Sequence, residues 1–322
     1  MRDTRGKAVR EIIDQCLKLT PCDLDVRYDE PMREHTTFKV GGPADCWLRP
    51  RGEGFPCFSA SLLRHARAAG IPVFILGGGA NIVVSDKGIR GIVLDTSEWK
   101  GGVAVGEEIS FLCGTTMDEA AESAAAAGLS GLEFLAGMPG VIGGAVWMNA
   151  RCYGSEIADV LIWTEVIDFS VGESPRRITR IYNTPDRTGF DYKRSPFQEK
   201  DFLITTAGFN LKSGDKNEIL NKMEKNKQDR QEKGHYLFPC AGSAFKNNRD
   251  FGKPTGQIID ELGLKGFQIG GAQVTPFHGN IVINTGSATA LDIRALMNEV
   301  AARIKAATGF ILEPEILFVG EW

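Results

Sequence analysis

The stretch from Gly131 to Ala145 sets five glycines and one proline among apolar side chains. Glycine admits positive φ and close backbone approach, so such a run gathers several peptide N–H groups in one place. N–H groups gathered in a nest bind anions, and phosphate is the usual biological one. A second run, Gly77-Gly78-Gly79-Ala80-Asn81, follows a short apolar segment, Val73 to Leu76, that reads as a strand. Singly, each run reads equally well as a structural turn. Together they predict a clamp around a diphosphate group.

Neither run is a standard nucleotide motif. A dinucleotide fingerprint needs Gly-x-Gly-x-x-Gly opening a helix, and a phosphate loop needs Gly-Lys-Ser/Thr. Gly77 to Ile82 lacks the third glycine and runs into Val83-Val84-Ser85-Asp86-Lys87-Gly88, which reads as strand and turn.

The totals narrow the classes. The chain has 322 residues, 43% of them hydrophobic and 24% charged, with a formal net charge of −4. Two or three domains fit that length, and the charge argues against a general nucleic-acid surface. No apolar stretch is long enough for a membrane span, and Met1-Arg2-Asp3-Thr4-Arg5 leads into no signal-peptide core. Seven cysteines, none in a Cys-x-x-Cys pair, read as reduced cytoplasmic thiols and not as a disulfide framework or zinc site.

The loops need elements to hold them. Residues 1–20 read as an amphipathic helix with Val9, Ile12, Ile13 and Leu17 at helical spacing. Phe38 to Leu48 reads as strand, turn at Gly41-Gly42-Pro43, and strand. Phe58 to Ala69 reads as a helix closed by Gly70, which makes a βαβ-type unit with the first glycine loop at a strand's carboxyl end. Thr116-Met117-Asp118-Glu119 is a capping box opening an alanine-rich helix that Gly128 ends. After the glycine-rich segment, taken as too rich in breakers for a core helix, strands are expected at 160–169 and 202–209. A charged helix follows at 212–234, then helices near 255–262 and 289–307, a turn at Glu313-Pro314-Glu315 and a last strand at 316–319.

The order of motifs resembles the UDP-N-acetylenolpyruvoylglucosamine reductase family. The resemblance runs through Thr36-Thr37-Phe38, Val40-Gly41-Gly42-Pro43-Ala44, Leu76 to Asn81, and Gly131 to Ala145 with Met148-Asn149-Ala150. It continues through Pro239 to Asn247 and Gly263 to Ala272, and ends at Leu312-Glu313-Pro314-Glu315. It implies an α+β fold: a two-subdomain FAD-binding module of the vanillyl-alcohol-oxidase (PCMH) type, then a C-terminal α+β substrate-binding domain. The expected limits are 1–96 and 97–210 for the two FAD subdomains and 211–322 for the substrate domain, with the last strand possibly returning to the first subdomain. Only Gly208 to Asp215 precedes the charged helix, so the chain is similar to the class without a tyrosine-bearing insertion.

The resemblance also implies roles. Noncovalent FAD would be held by Gly77, Gly78, Gly79, Ala80, Asn81, Ile82, Gly137, Met138, Pro139, Gly140, Gly143, Gly144, Ala145 and Asn149. NADPH would reduce it, and an enolpyruvyl UDP-sugar would then take the hydride, yielding UDP-N-acetylmuramate for peptidoglycan. Ser243 would give the proton and Glu315 would stabilise the enol. Where the family shows Tyr-Arg-x-Ser, this chain has Tyr192-Lys193-Arg194-Ser195. Lysine lacks the planar fork of arginine, so either Lys193 fills the role or a backbone shift brings Arg194 into it. Tyr192, Lys246, Asn247 and His278 would touch substrate, with Lys227, Arg230 and Lys233 as further diphosphate candidates. No metal, nucleic acid or membrane is implied, and a monomer is favoured. Two rival readings stand beside this one: another flavin oxidoreductase of the same fold acting on an alcohol or sugar, and a flavin-binding descendant without activity.

Overall fold

The computed structural model describes residues 2–169, 176–179 and 189–322. Its first elements are helix α1 (Arg2–Leu19), strands β1 (Asp23–Pro31) and β2 (Pro43–Arg51), helix α2 (Phe55–Ala68), and strands β3 (Val73–Leu76), β4 (Ile82–Val84), β5 (Ile89–Asp95), β6 (Gly102–Val105) and β7 (Glu108–Leu112). Next come α3 (Met117–Ala126), β8 (Leu129–Ser130), α4 (Ile142–Met148), β9 (Arg151–Cys152), β10 (Ser155–Glu156), β11 (Leu161–Asp168), β12 (Arg176–Thr179), β13 (Phe202–Asn210) and β14 (Lys212–Ser213). The remainder is α5 (Lys216–Glu232), β15 (Cys240–Ser243), α6 (Thr255–Glu261), β16 (Gln268–Ile269), β17 (Ala272–Val274), β18 (Ile281–Asn284), α7 (Ala290–Thr308) and β19 (Leu317–Val319). No described helix is long and apolar enough to cross a membrane.

The elements form two compact units, neither continuous in sequence. One comprises Met1–Tyr28, Asp45–Gly78 and Gly91–Lys227; the other comprises Asp29–Ala44, Gly79–Arg90 and Gln228–Trp322.

In the first unit, Val9, Ile12, Ile13 and Cys16 of α1 join Phe58, Leu62, Leu63 and Ala66 of α2 in one buried cluster. Each buried aliphatic side chain contributes about 1.5–3 kcal/mol, so packing holds this helix more than its intrinsic propensity does. Gly70, at φ +66°, follows the end of α2 as a left-handed cap. The four-stranded sheet has the order β1-β2-β5-β3, with β3 and β5 parallel. The helix α2 joins β2 to β3 as expected, and β5 is inserted between those two strands in the sheet. A five-stranded sheet of order β12-β11-β13-β7-β6 is antiparallel throughout. There Gly208 lets the Trp163 indole cross its strand, since a Cβ would lie 2.1 Å from Trp163 Cε2.

The second unit carries the antiparallel sheet β15-β18-β17-β16. Ala290, Ile293, Leu296, Met297, Val300 and Ile304 form the buried stripe of α7 in the same cluster as Ile281, Val282 and Ile283 of β18. Thr289 and Asp292 make a reciprocal capping box, and Gly309 at φ +79° ends the helix. The last strand, β19, pairs in parallel with β4.

Three features differ from the sequence reading. Phe38 and Val40 are buried but not in a strand: Lys39 has φ +57° and donates its N–H to the Thr36 carbonyl at 3.2 Å. Their alternation signals burial, and a turn achieves it. Gly143 and Gly144 lie in the first turn of α4 and not in a loop, because Ile142, Ala145 and Val146 bury enough apolar surface to hold a short helix despite the glycines. The strand β1 is absent from the sequence reading; it is a sheet edge whose apolar residues Leu24 and Val26 are only partly buried against the core. All seven cysteines are unpaired thiols, and burial pushes Cys46 and Cys113 up to about 12, which makes them packing groups.

Candidate active site

In the first unit the two glycine runs touch. A Cβ on Gly78 would lie 2.7 Å from the Gly140 Cα, and one on Gly77 would lie 2.8 Å from a Val141 methyl. Only glycine permits this approach at position 78, because the obstruction is backbone. Gly137 is held at φ +75° by its N–H bond to Asp118 Oδ1 at 2.8 Å, and the Met138 N–H bonds the Leu135 carbonyl. Pro139 and Gly140 lead into α4, where a Cβ on Gly143 would lie 2.9 Å from Cys113 Cβ, whereas one on Gly144 would meet nothing within 4 Å. Ala145 is buried.

The end of α4 fixes the segment that carries Tyr192 and Lys193. Asn149, left-handed at φ 45° and fully buried, donates its amide to the Asp191 carbonyl at 2.9 Å and accepts from the Ala158 N–H at 3.0 Å. Ser195 Oγ donates to the Trp147 carbonyl at 2.6 Å, and Gln198 Nε2 bonds the carbonyls of Trp147 and Lys193, each at 3.1 Å. Asp191 and Arg194 exchange both backbone bonds, so Tyr192 and Lys193 form a tight two-residue turn. Lys193 has φ +56° there. Lys193 thus stands at the tip of a turn and Arg194 at its base. Lys193 is half-buried; Arg194 is exposed and ion-paired with Glu199.

In the second unit Ser243, Lys246, Asn247 and Glu315 are brought together. Residues 244–246 pair with 313–315: the Glu315 N–H donates to the Ala244 carbonyl at 2.9 Å, and the Lys246 N–H to the Glu313 carbonyl at 2.9 Å. Asn280 clamps the same loop, accepting from the Phe245 N–H at 3.0 Å and donating to its carbonyl at 2.7 Å. Asn280 had no sequence signal of its own. Glu315 is 8% exposed, whereas Glu313 is exposed and pairs with Lys246 at 3.3 Å. Asn247 Oδ1 accepts from the Thr255 N–H at 2.9 Å, anchoring the loop to the start of α6. The first glycine run enters this unit as well. Gly79, at φ +60°, sits against the His35 carbonyl, and Asn81 donates its amide to the Glu315 carbonyl at 3.1 Å. Ala80 lies between them, and Ile82 opens β4 and is buried.

The remaining cations and histidines are more constrained. In the first unit, burial works against the Lys227 ammonium but is outweighed by Asp118 at 3.2 Å and Glu122 at 3.3 Å, so its pKa is raised. In the second, Lys233 pairs with Asp229 at 2.7 Å, and Arg230 is buried. His278 accepts the Asn280 N–H on Nδ1 at 3.1 Å and lies 6.5 Å, ring to ring, from His235. Burial lowers the pKa of both, that of His235 to about 3. Among the described residues no cluster of His, Cys, Asp and Glu forms a metal site.

Residues 232–319 match the family described as UDP-N-acetylenolpyruvoylglucosamine reductase, C-terminal domain, and residues 59–174 match an FAD binding domain. The UDP-N-acetylenolpyruvoylglucosamine reductase of Borrelia garinii subsp. bavariensis is 42% identical over 289 residues, covering 89% of this chain and 90% of that protein. The chain belongs to the UDP-N-acetylenolpyruvoylglucosamine reductase family. The reductase of that name from Agathobacter rectalis is 36% identical over 335 residues and covers 100% of both chains. A crystal structure of the Thermus caldophilus reductase superimposes with a TM-score of 0.70 at 32% identity, over 92% of this chain and all of that one.

Membership of the reductase family makes the chain an FAD-dependent oxidoreductase of peptidoglycan precursor synthesis, with the α+β, FAD-module-plus-C-terminal-domain fold that its motifs predict. The residues present fit FAD. The Gly78–Gly140 contact builds a cradle that side chains would fill, and nothing stands within 4 Å of the Gly144 Cβ position. Among the described residues, the N–H groups of Gly77, Gly78 and Gly140 have no protein acceptor, as anion-binding amides require.

Proposed function

We propose that this chain reduces the enolpyruvyl ether of UDP-N-acetylglucosamine-enolpyruvate to UDP-N-acetylmuramate, with NADPH as electron donor, in the cytoplasm and as a monomer. Bound FAD would supply the hydride chemistry that links NADPH to the terminal methylene of the substrate. Gly77 to Ile82, and Gly137 to Ala145 excluding Val141 and Ile142, hold the cofactor. Ser243 delivers the proton to the adjacent enolate carbon. A serine hydroxyl is a weak acid, but an enolate carbon is a strong base, and a desolvated site favours the transfer. Glu315 stabilises the enol by hydrogen bonding. Lys193, on its turn, supplies the positive charge that offsets the substrate carboxylate. We prefer it to Arg194, whose guanidinium is exposed and engaged by Glu199. Tyr192, Lys246, Asn247 and His278 contact substrate, and Asn149 acts indirectly, by holding the turn.

The observation that carries this reading is the bond from the Glu315 N–H to the Ala244 carbonyl. It joins the backbone of the proposed acid to the residue after the proposed proton donor. Stopped-flow mixing tests it: NADPH should bleach the flavin, and the enolpyruvyl substrate should restore its absorbance. A flavin that is reduced but never reoxidised by that substrate would overturn the proposal.

A further inference from the structure

Arg151, in β9, is absent from the family-derived set of site residues, yet it stands beside one of them, Tyr192. Its guanidinium carbon lies 5.9 Å from the centroid of the Tyr192 ring. Tyr192 and Lys193 form the tip of the turn that Asn149, two residues before Arg151, binds through the Asp191 carbonyl. Arg151 and that tip are therefore held to one another by buried backbone and amide contacts within a single unit.

Among the described residues the Arg151 guanidinium makes one long ion pair, to Glu156 at 3.8 Å, outside hydrogen-bond range. Glu156 is itself buried and occupied in a capping box with Asp159. Arg151 is half-buried, with 35% of its side chain exposed. The Tyr192 ring face restricts its motion.

We propose that Arg151 binds the carboxylate of the substrate, supplying the planar two-donor fork that Lys193 lacks. This rests on the proposed roles of Tyr192 and Lys193. An ammonium at 193 gives point charge without orientation, whereas a guanidinium holds a carboxylate through two parallel N–H bonds. The recognition is divided: charge from Lys193 and geometry from Arg151.

The test compares binding of UDP-N-acetylmuramate and its methyl ester to the oxidised FAD-loaded enzyme. Both share the nucleotide and sugar, and only the acid carries the carboxylate. In the wild type the acid should bind more tightly. In Arg151→Ala that preference should shrink by about 10- to 100-fold, as expected for a lost hydrogen bond to a charged group, and Arg151→Lys should lie between. Flavin content should stay at the wild-type value in both variants, which shows that the FAD module is still folded. Unchanged acid-over-ester preference in a flavin-loaded Arg151→Ala or Arg151→Lys would overturn the role of Arg151 alone. No preference in the wild type would remove the proposed substrate as well.

Discussion

Asn81 and Glu315 are joined by a 3.1 Å hydrogen bond from the Asn81 amide to the Glu315 carbonyl, and the Leu317 N–H returns a bond to the Asn81 carbonyl at 3.0 Å. A residue of the first glycine run thus sets the backbone of the proposed acid. Replacing Asn81 with Ala removes one bond of about 0.5–1.5 kcal/mol. Flavin reoxidation by the enolpyruvyl substrate should slow by up to about tenfold, read by stopped flow. An unaltered reoxidation rate would dissociate Asn81 from the positioning of Glu315.

Ser243 and Glu315 should matter in only one half of the cycle. Ser243→Ala and Glu315→Gln should leave flavin reduction by NADPH intact and slow reoxidation by about 10²- to 10⁴-fold, the range for lost acid–base catalysis. Equal slowing of both halves would mean that the substitutions disturb the flavin seat and not proton delivery.

Two glycines offer a contrast that separates folding from cofactor binding. At Gly78 an added Cβ meets backbone at 2.7 Å, whereas at Gly144 it meets nothing within 4 Å. Gly78→Ala should lower both thermal stability and flavin content. Gly144→Ala sits in a helix, where alanine is favoured by about 0.5–1 kcal/mol, so the apoprotein should melt no lower. If Gly144 lines the proposed FAD seat, the variant's FAD affinity should nevertheless fall, because the methyl would occupy that open space. Normal flavin affinity in Gly144→Ala would remove that residue from the cofactor seat.

The buried histidines predict an acid-sensitive second unit. Burial depresses the pKa of His235 to about 3 and lowers that of His278, against an unfolded value near 6.5. Unfolded chains therefore bind more protons than folded ones below that pH, and stability present above about pH 6.5 is lost as pH falls. The urea midpoint should drop between about pH 6.5 and 5, before most carboxylates titrate. His235→Gln should flatten that slope. An equally steep slope in the variant would exclude His235 as its source.

Asp86 caps α7 from a distant turn, accepting from the Ala290 and Leu291 N–H groups at 2.9 and 3.0 Å. Asp86→Ala should cost about 0.5–2 kcal/mol, as for other lost helix caps, with flavin reduction unaffected in the folded fraction. Chemical denaturation measures the first and stopped flow the second. A variant as stable as wild type would show that water satisfies those two donors equally well.

Much of this protein was legible because its signals are local. The capping box at Thr116, the apolar stripe of α1, and the glycines after α2 and α3 act within one or two helical turns, so residue types and spacing suffice to place them. The two glycine runs announce an anion-binding backbone for the same reason. What misled was also local: Phe38 and Val40 alternate like a strand, yet only the surrounding core decides that a left-handed Lys39 will bury both.

Motif order along the sequence identified the chemistry, through a resemblance that the relatives bear out. Tertiary structure alone brought residues 244–246 against 313–315, clamped Phe245 with Asn280, put Lys193 on a turn, and set Arg151 over Tyr192. The reason is physical. Hydrogen bonds and ring contacts between segments far apart in the chain depend on how whole elements pack, and such packing leaves no periodic trace in either segment.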